Sequence, residues 1–113
     1  MQTDDWRPLV AVEGLTLLGG EGRIRLLEQA ASGLAYLIHY PAGVASPPHA
    51  HDHDSIVYVL SGRLRGAVGG VAAELGPGDS VLHPKEVEHH VEALEDSTWV
   101  EFKSPLPGRP PVS

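Results

Sequence analysis

The chain has 113 residues, a formal net charge of −7 and no cysteine. A chain of this length forms a single domain, because half of it would bury too little apolar surface for a stable core. The negative charge and the lack of a basic stripe argue against a nucleic-acid partner. Without cysteine, disulfides and thiolate ligands are excluded, so any metal ion must be bound through nitrogen and oxygen atoms.

Neither a signal peptide nor a membrane span is predicted. Residues 1–6 are acidic and lack the basic-then-apolar order of a signal peptide. The longest apolar stretch, around residues 33–40, is far too short to cross a bilayer. We therefore expect a cytoplasmic protein without a membrane partner.

The N-terminal segment, residues 1–22, is predicted to be mostly irregular. Short apolar runs over 9–12 and 15–18 favour two short strands. The glycine-rich stretch over 19–22 is typical of a turn.

Residues 23–27 alternate between charged and apolar side chains, which is typical of a strand. A helix over 23–31 is the alternative, because these residues also have good helix propensity. Gly22 and Gly33 enclose a run that is short for a helix, so we prefer the strand.

Further strands follow at intervals of eight to twelve residues, separated by turns rich in glycine and proline. No long helical pattern interrupts them, and this spacing predicts an all-β sandwich or barrel. The strands are predicted over residues 34–40, 55–60, 63–68, 71–75, 80–83, 89–94 and 98–103.

Three of the seven histidines fall within five positions, at His49, His51 and His53. They lie between a Pro-Pro pair and the β-branched run of the strand over 55–60. Side chains alternate across an extended chain, so His49 and His51 point to the same side. Two imidazoles on one side provide half of a metal site.

The surroundings of this pair resemble the first sequence motif of the cupin family. The family's glycine, histidine pair and closing glycine are matched, at the same spacing, by Gly43, His49, His51 and Gly62. One position departs from the pattern, because Ser55 stands where the family has a glutamate.

The second cupin motif is matched further along the chain. Its first glycine, its proline and its histidine correspond to Gly78, Pro84 and His89. Glu86 replaces the second glycine, and Ala93 replaces the asparagine. Two separate motifs matched at fixed spacing make the resemblance much more specific than a lone histidine pair.

The resemblance covers about residues 33–105 and implies the cupin fold. This fold is an all-β double-stranded β-helix, also described as a jelly-roll barrel. We expect one cupin domain over residues 1–113, with the barrel core at about 22–104 and a proline-rich tail at 105–113.

The resemblance also implies one divalent transition metal ion, such as zinc, iron, manganese, nickel or copper, held by His49, His51 and His89. A serine hydroxyl is a poor ligand for such an ion, so we expect Ser55 to position a metal-bound water. His53 is the alternative fourth ligand, because a regular strand places it on the same face as His51.

Four aromatic residues are candidates for lining a substrate pocket, although such side chains are more often part of a core or a dimer contact. These candidates are Tyr36, Tyr40, Trp99 and Phe102. The other histidines are interpreted as non-ligands, with His83 at the rim or surface.

Small cupins act on small organic molecules, and the resemblance implies a metal-dependent enzyme of dioxygenase, isomerase, cyclase or lyase type. The alternative is a non-catalytic sensor or binding domain for a small ligand or a metal. A metal-free structural cupin is a third reading, which the three retained histidines disfavour. We also expect a homodimer, because open sheet edges and the outward set Ile56, Tyr58 and Leu60 would be covered by a second copy.

Overall fold

The computed structural model describes residues 5–106, which form β-strands and turns without a helix. Within this range, accordingly, no helix long and apolar enough to cross a membrane occurs. Eleven strands span the described residues in chain order: β1 (Arg7–Leu9), β2 (Ala11–Val12), β3 (Leu15–Thr16), β4 (Gly22–Ala30), β5 (Gly33–Tyr40), β6 (Asp54–Ser61), β7 (Leu64–Val68), β8 (Val71–Leu75), β9 (Ser80–His83), β10 (His89–Ala93) and β11 (Ser97–Ser104).

The strands form two main antiparallel sheets. A six-stranded sheet has the order β1-β4-β5-β11-β6-β9, and a three-stranded sheet has the order β10-β7-β8. The core takes Ile38 and Val57 from the first sheet and Leu64 and Ala93 from the second, so it lies between them. The predicted all-β barrel is confirmed.

Strand β4 confirms the strand predicted at residues 23–27, and no helix forms there. Its alternation is explained by pairing with β5, which places Ile24 opposite Ile38, with both side chains in the core. The strand runs on to Ala30 after a shift in register between Leu26 and Glu28. This extension depends on hydrogen bonds to β5, which a local sequence pattern does not contain.

The segment before β4 contributes to the core, since Leu9 and Leu17 are both buried. The strand predicted at residues 15–18 is shorter than expected, because β3 ends at Thr16. Beyond it, Leu18 forms an isolated bridge with Ala45. The single domain over residues 1–113 and its barrel core at about 22–104 stay predictions.

The proline-rich tail predicted at 105–113 falls largely outside the described residues, since 107–113 are not among them. The last described strand, β11, ends at Ser104.

Candidate metal centre

Two segments that are far apart in sequence lie side by side at the candidate site. The backbones of His49 and His89 exchange two hydrogen bonds, with N···O distances of 3.0 and 2.8 Å. The His51 ring lies with its centroid 4.8 Å from that of His49 and 5.0 Å from that of His89. One ligand atom from each ring lies within 4.8 Å of the other two, and all three residues are buried. The structure thus assembles a cluster that can hold a metal ion.

Hydrogen bonds fix the orientation of these rings. The Nδ1–H of His49 donates to the Pro47 carbonyl oxygen at 2.7 Å, and that of His89 donates to the Val87 carbonyl oxygen at 3.3 Å. A carbonyl oxygen only accepts, so in the neutral ring the proton sits on Nδ1 and Nε2 keeps its lone pair. This is the usual arrangement of metal-binding imidazoles.

The third ring is oriented by a carboxylate from the N-terminal segment. The Nδ1 of His51 donates to Glu13 Oε2 at 2.8 Å. Glu13 and Gly14 form the two-residue turn between β2 and β3, and both have positive φ, at 49° and 76°. A two-residue hairpin requires this backbone conformation, which a glycine adopts freely and a glutamate rarely does. The glutamate at this turn orients the His51 ring through this hydrogen bond.

Burial keeps the imidazoles in the neutral form that a metal ion requires. It lowers the pKa of His51 to about 3, and the positive charge of Lys103 acts in the same direction. It also lowers the pKa of His89 to about 3, with His83 as the next contributor. The pKa of His49 is lowered by burial as well. Proton competition with a metal ion is therefore weak near neutral pH.

The position where the family has a glutamate has a different chemistry here. Ser55 is fully buried and pairs in register with Lys103 on β11. The Lys103 ammonium lies 3.5 Å from the Ser55 hydroxyl and 2.7 Å from Glu101 Oε2. A buried cation thus occupies the surroundings of the missing carboxylate.

Glu101 is held as a carboxylate in this interior. Burial by itself would raise the pKa of Glu101, but the Lys103 charge and hydrogen bonds from Lys103 and Trp99 hold it well below its usual range. Its Oε1 accepts from Trp99 Nε1 at 3.0 Å. The pair is therefore charged and internally neutralised.

His53, the alternative fourth ligand, is 2% exposed and stacks on His51 with a centroid distance of 4.5 Å. The cluster that can hold a metal ion consists of His49, His51 and His89, without it. His53 thus lies beside the three-histidine cluster without being one of its members, and its role as a fourth ligand stays a prediction.

His83 does not lie at the rim or surface, so that prediction is wrong. It is 4% exposed, and its ring stacks on His89 at a centroid distance of 3.9 Å. Alternation along β9 turns His83 inward, because Leu82 before it points outward. Alternation along the strand predicted at residues 80–83 is the signal that could have shown that the His83 side chain points inward.

A cavity of about 60 Å³ lies between the histidines and the inner face of the large sheet. Tyr40 and Trp99 line it, and they pack edge to face with a centroid distance of 4.8 Å. Tyr36 is buried beside Glu101 in the core. Phe102 is 43% exposed on the outer face of β11, so it is not a pocket residue.

Glu13, Glu101 and Lys103 also line the cavity, and the sequence analysis singled out none of them. Alternation along β11 would have shown that Glu101 and Lys103 share a face with Trp99. No local signal identifies Glu13, because its contact with His51 spans 38 positions.

The donor set fits a divalent transition metal ion. Three neutral imidazoles suit zinc, iron, manganese, nickel and copper, and leave coordination positions for water or a substrate. Fold and site together define a small β-barrel protein with a buried three-histidine centre.

The family model of the cupin domain matches residues 36–102, which is more than half of the chain. The chain belongs to the cupin family. It is similar to the structure of KdgF from Halomonas sp., with 29% identity and a TM-score of 0.72 over 74% of this chain and 78% of that one. It is also similar to an RmlC-like cupin from Shewanella frigidimarina, with 24% identity and a TM-score of 0.77 over 93% and 88% of the two chains. The second likeness concerns the fold alone.

A further similarity is to the dimethylsulfoniopropionate lyase DddQ of Ruegeria pomeroyi. The two are 38% identical over 56 residues, which cover 49% of this chain and 28% of the lyase. The similarity thus extends over less than a third of the lyase.

Proposed function

We propose that this cupin binds one divalent transition metal ion through His49, His51 and His89 and acts as a metal-dependent enzyme on a small organic molecule. The observation that carries the proposal is the orientation of the three rings. Each Nδ1 donates to an oxygen acceptor, so the Nε2 of each ring keeps a lone pair that it can offer to a metal ion. When bound, the metal ion supplies Lewis-acid polarisation of a coordinated oxygen atom.

The cavity walls have separate roles in this proposal. Trp99 is fixed by its hydrogen bond to Glu101, and Tyr40 packs against it, so they form a rigid apolar wall. The buried Glu101–Lys103 pair contributes charged groups to the polar part of the lining. Ser55, next to Lys103, is proposed to position a water molecule.

Among the reaction types that the resemblance implies, we favour a lyase. Its support is the similarity to dimethylsulfoniopropionate lyase, which is 38% identical over 56 residues, or 49% of this chain. The substrate of this chain need not be the same, because the similarity covers 28% of the lyase.

A non-catalytic binding or sensor domain is the second candidate. It is favoured by the closed contact between Glu101 and Lys103, 2.7 Å apart, which engages both groups with each other. A carboxylate that is paired in this way is a weak proton acceptor.

Metal reconstitution followed by NMR separates the two candidates. The protein is loaded in turn with Zn²⁺, Fe²⁺, Mn²⁺, Ni²⁺ and Cu²⁺ and mixed with a panel of small organic acids that includes dimethylsulfoniopropionate. Metal-dependent turnover that is lost in His49→Ala supports the enzyme. Metal-dependent binding without turnover supports the sensor, and failure to bind any of the metals contradicts both.

We also propose that the protein is a homodimer that pairs through the outer face of the six-stranded sheet. Large apolar side chains are exposed together on three neighbouring strands of that face, and burying them would be favourable. They are Ile56, Tyr58 and Leu60 on β6, Leu82 on β9 and Phe102 on β11.

A further inference from the structure

His53 lies in the same cavity as the three clustered histidines, and yet both of its ring nitrogens are occupied elsewhere. Its Nδ1 contacts Asp52 Oδ1 at 3.0 Å, and its Nε2 contacts Lys103 Nζ at 3.2 Å. A carboxylate only accepts and an ammonium only donates, so the Nδ1 of the neutral ring carries the proton. The Nε2 lone pair therefore accepts a hydrogen bond from Lys103.

The Lys103 ammonium is held in place by three neighbours. It lies 2.7 Å from Glu101 Oε2, 3.2 Å from His53 Nε2 and 3.5 Å from Ser55 Oγ. An ammonium has three N–H donors, and these contacts can use all of them. Lys103 is 6% exposed, and the adjacent Glu101 carboxylate offsets the cost of burying its charge.

The small side chain of Ser55 makes this arrangement sterically feasible. Ser55 and Lys103 are register partners on neighbouring antiparallel strands. A longer side chain at position 55 would extend towards the lysine chain opposite it. Where the family has a carboxylate, this chain therefore has a hydroxyl in contact with a buried ammonium.

We propose that Lys103 is a positioning residue that withholds His53 from the metal ion and thereby limits the protein ligands to three. This inference rests on the proposed metal centre. One lone pair on Nε2 cannot both accept a hydrogen bond from Lys103 and bind a metal ion. The fixed ammonium also repels a cation that approaches from that side. The consequence is a centre with coordination positions reserved for water or substrate.

Removal of the ion pair as a unit tests this role without leaving a buried unpaired charge. The variant Glu101→Gln/Lys103→Met is loaded with Co²⁺, whose visible absorption reports coordination number and ligand type. We expect the Co²⁺ spectrum to change and Zn²⁺ to bind more tightly than to the wild type, because the freed Nε2 of His53 adds a fourth nitrogen ligand. Adding His53→Gln to this variant restores the wild-type spectrum and affinity.

A matched control removes an ion pair on the other sheet. Arg63 lies just before β7, and Glu74 lies on β8. Arg63 Nε and Glu74 Oε1 are 2.9 Å apart, and both side chains are well exposed. The variant Arg63→Met/Glu74→Gln keeps the wild-type Co²⁺ spectrum. An unchanged spectrum in the Glu101→Gln/Lys103→Met variant overturns the inference, as does a change that His53→Gln does not reverse.

A second measurement uses the wild-type protein and does not depend on how any variant folds. Histidine side-chain ¹⁵N NMR is recorded during a Zn²⁺ titration. The Nε2 resonances of His49, His51 and His89 shift on binding, while that of His53 stays at its metal-free position. A shift of all four overturns the role of Lys103 and leaves the metal centre intact. A shift of none contradicts the metal centre itself, and the inference falls with it.

Discussion

At the scale of single residues, the site depends on acceptors that orient the imidazoles. Two of these are backbone carbonyls, which a substitution does not remove, and the third is the Glu13 carboxylate. We expect Glu13→Ala to weaken Zn²⁺ binding by about ten- to a hundredfold, because His51 loses the partner that fixes its ring. Isothermal titration calorimetry measures this, with the exposed Glu21→Ala as the control. Equal affinity in both variants contradicts the role of Glu13.

The buried histidines also predict how stability depends on pH. In the folded protein the pKa values of His51 and His89 are about 3, below the ordinary 6.5. Between these values the unfolded chain binds protons that the folded protein excludes, so stability is lost as pH falls. The contribution is complete above pH 6.5 and decreases as pH drops towards 3.

Calorimetry of the metal-free protein between pH 8 and pH 4 checks this expectation. We expect the Tm of the wild type to fall as pH drops below 6.5. The fall should be less steep in His51→Gln than in the control variant His90→Gln, whose substituted residue follows His89 on β10. A Tm that stays constant or rises between pH 7 and pH 5 contradicts the burial of neutral rings.

At the scale of elements, the turn after β6 explains the closing glycine of the first cupin motif. Gly62 has a φ of 89°, and a Cβ added there would lie 2.2 Å from Ser97 Oγ and 2.4 Å from the Asp96 carbonyl oxygen. Gly78 has nearly the same φ, 88°, but has no atom within 4 Å of such a Cβ. A substitution at Gly78 therefore causes backbone strain alone, whereas one at Gly62 causes backbone strain and steric overlap.

We expect Gly78→Ala to cost about 1–2 kcal/mol of unfolding free energy, the range for a side chain in the left-handed conformation. Gly62→Ala adds overpacking against Ser97, with a further cost of about 1–3 kcal/mol. Urea denaturation measures both variants. If the two lose the same stability, the close packing between the β6–β7 turn and the start of β11 is disproved.

The elements also show what a sequence can and cannot predict. The strand pattern and the spacing of His49, His51 and His89 are local or motif signals, and the fold and the histidine cluster follow from them. The partners of those histidines are not local. Glu13 reaches His51 from 38 positions away, and Lys103 reaches His53 from 50 positions away. Such residues are brought together by the tertiary packing of loops and turns against the sheets, which no local pattern contains.

At the scale of the whole molecule, the exposed apolar face predicts the oligomeric state. Tyr58 is 47% exposed at the middle of β6, whereas Val71 is 73% exposed on the other sheet. We expect a dimer at micromolar concentration that Tyr58→Glu converts to a folded monomer, because a charge would be buried at the interface. Val71→Glu remains dimeric. Sedimentation velocity measures all three proteins, and a monomeric wild type contradicts the proposed pairing.

The most direct test of the account is anomalous diffraction from crystals of the protein soaked in Zn²⁺. The account predicts one strong peak at about 2.0–2.1 Å, the usual Zn–N distance, from the Nε2 atoms of His49, His51 and His89. The ring of His53 should remain hydrogen-bonded to Lys103 in the same map. If the three rings are well ordered in crystals soaked with excess Zn²⁺ and no peak lies between them, the metal centre is contradicted.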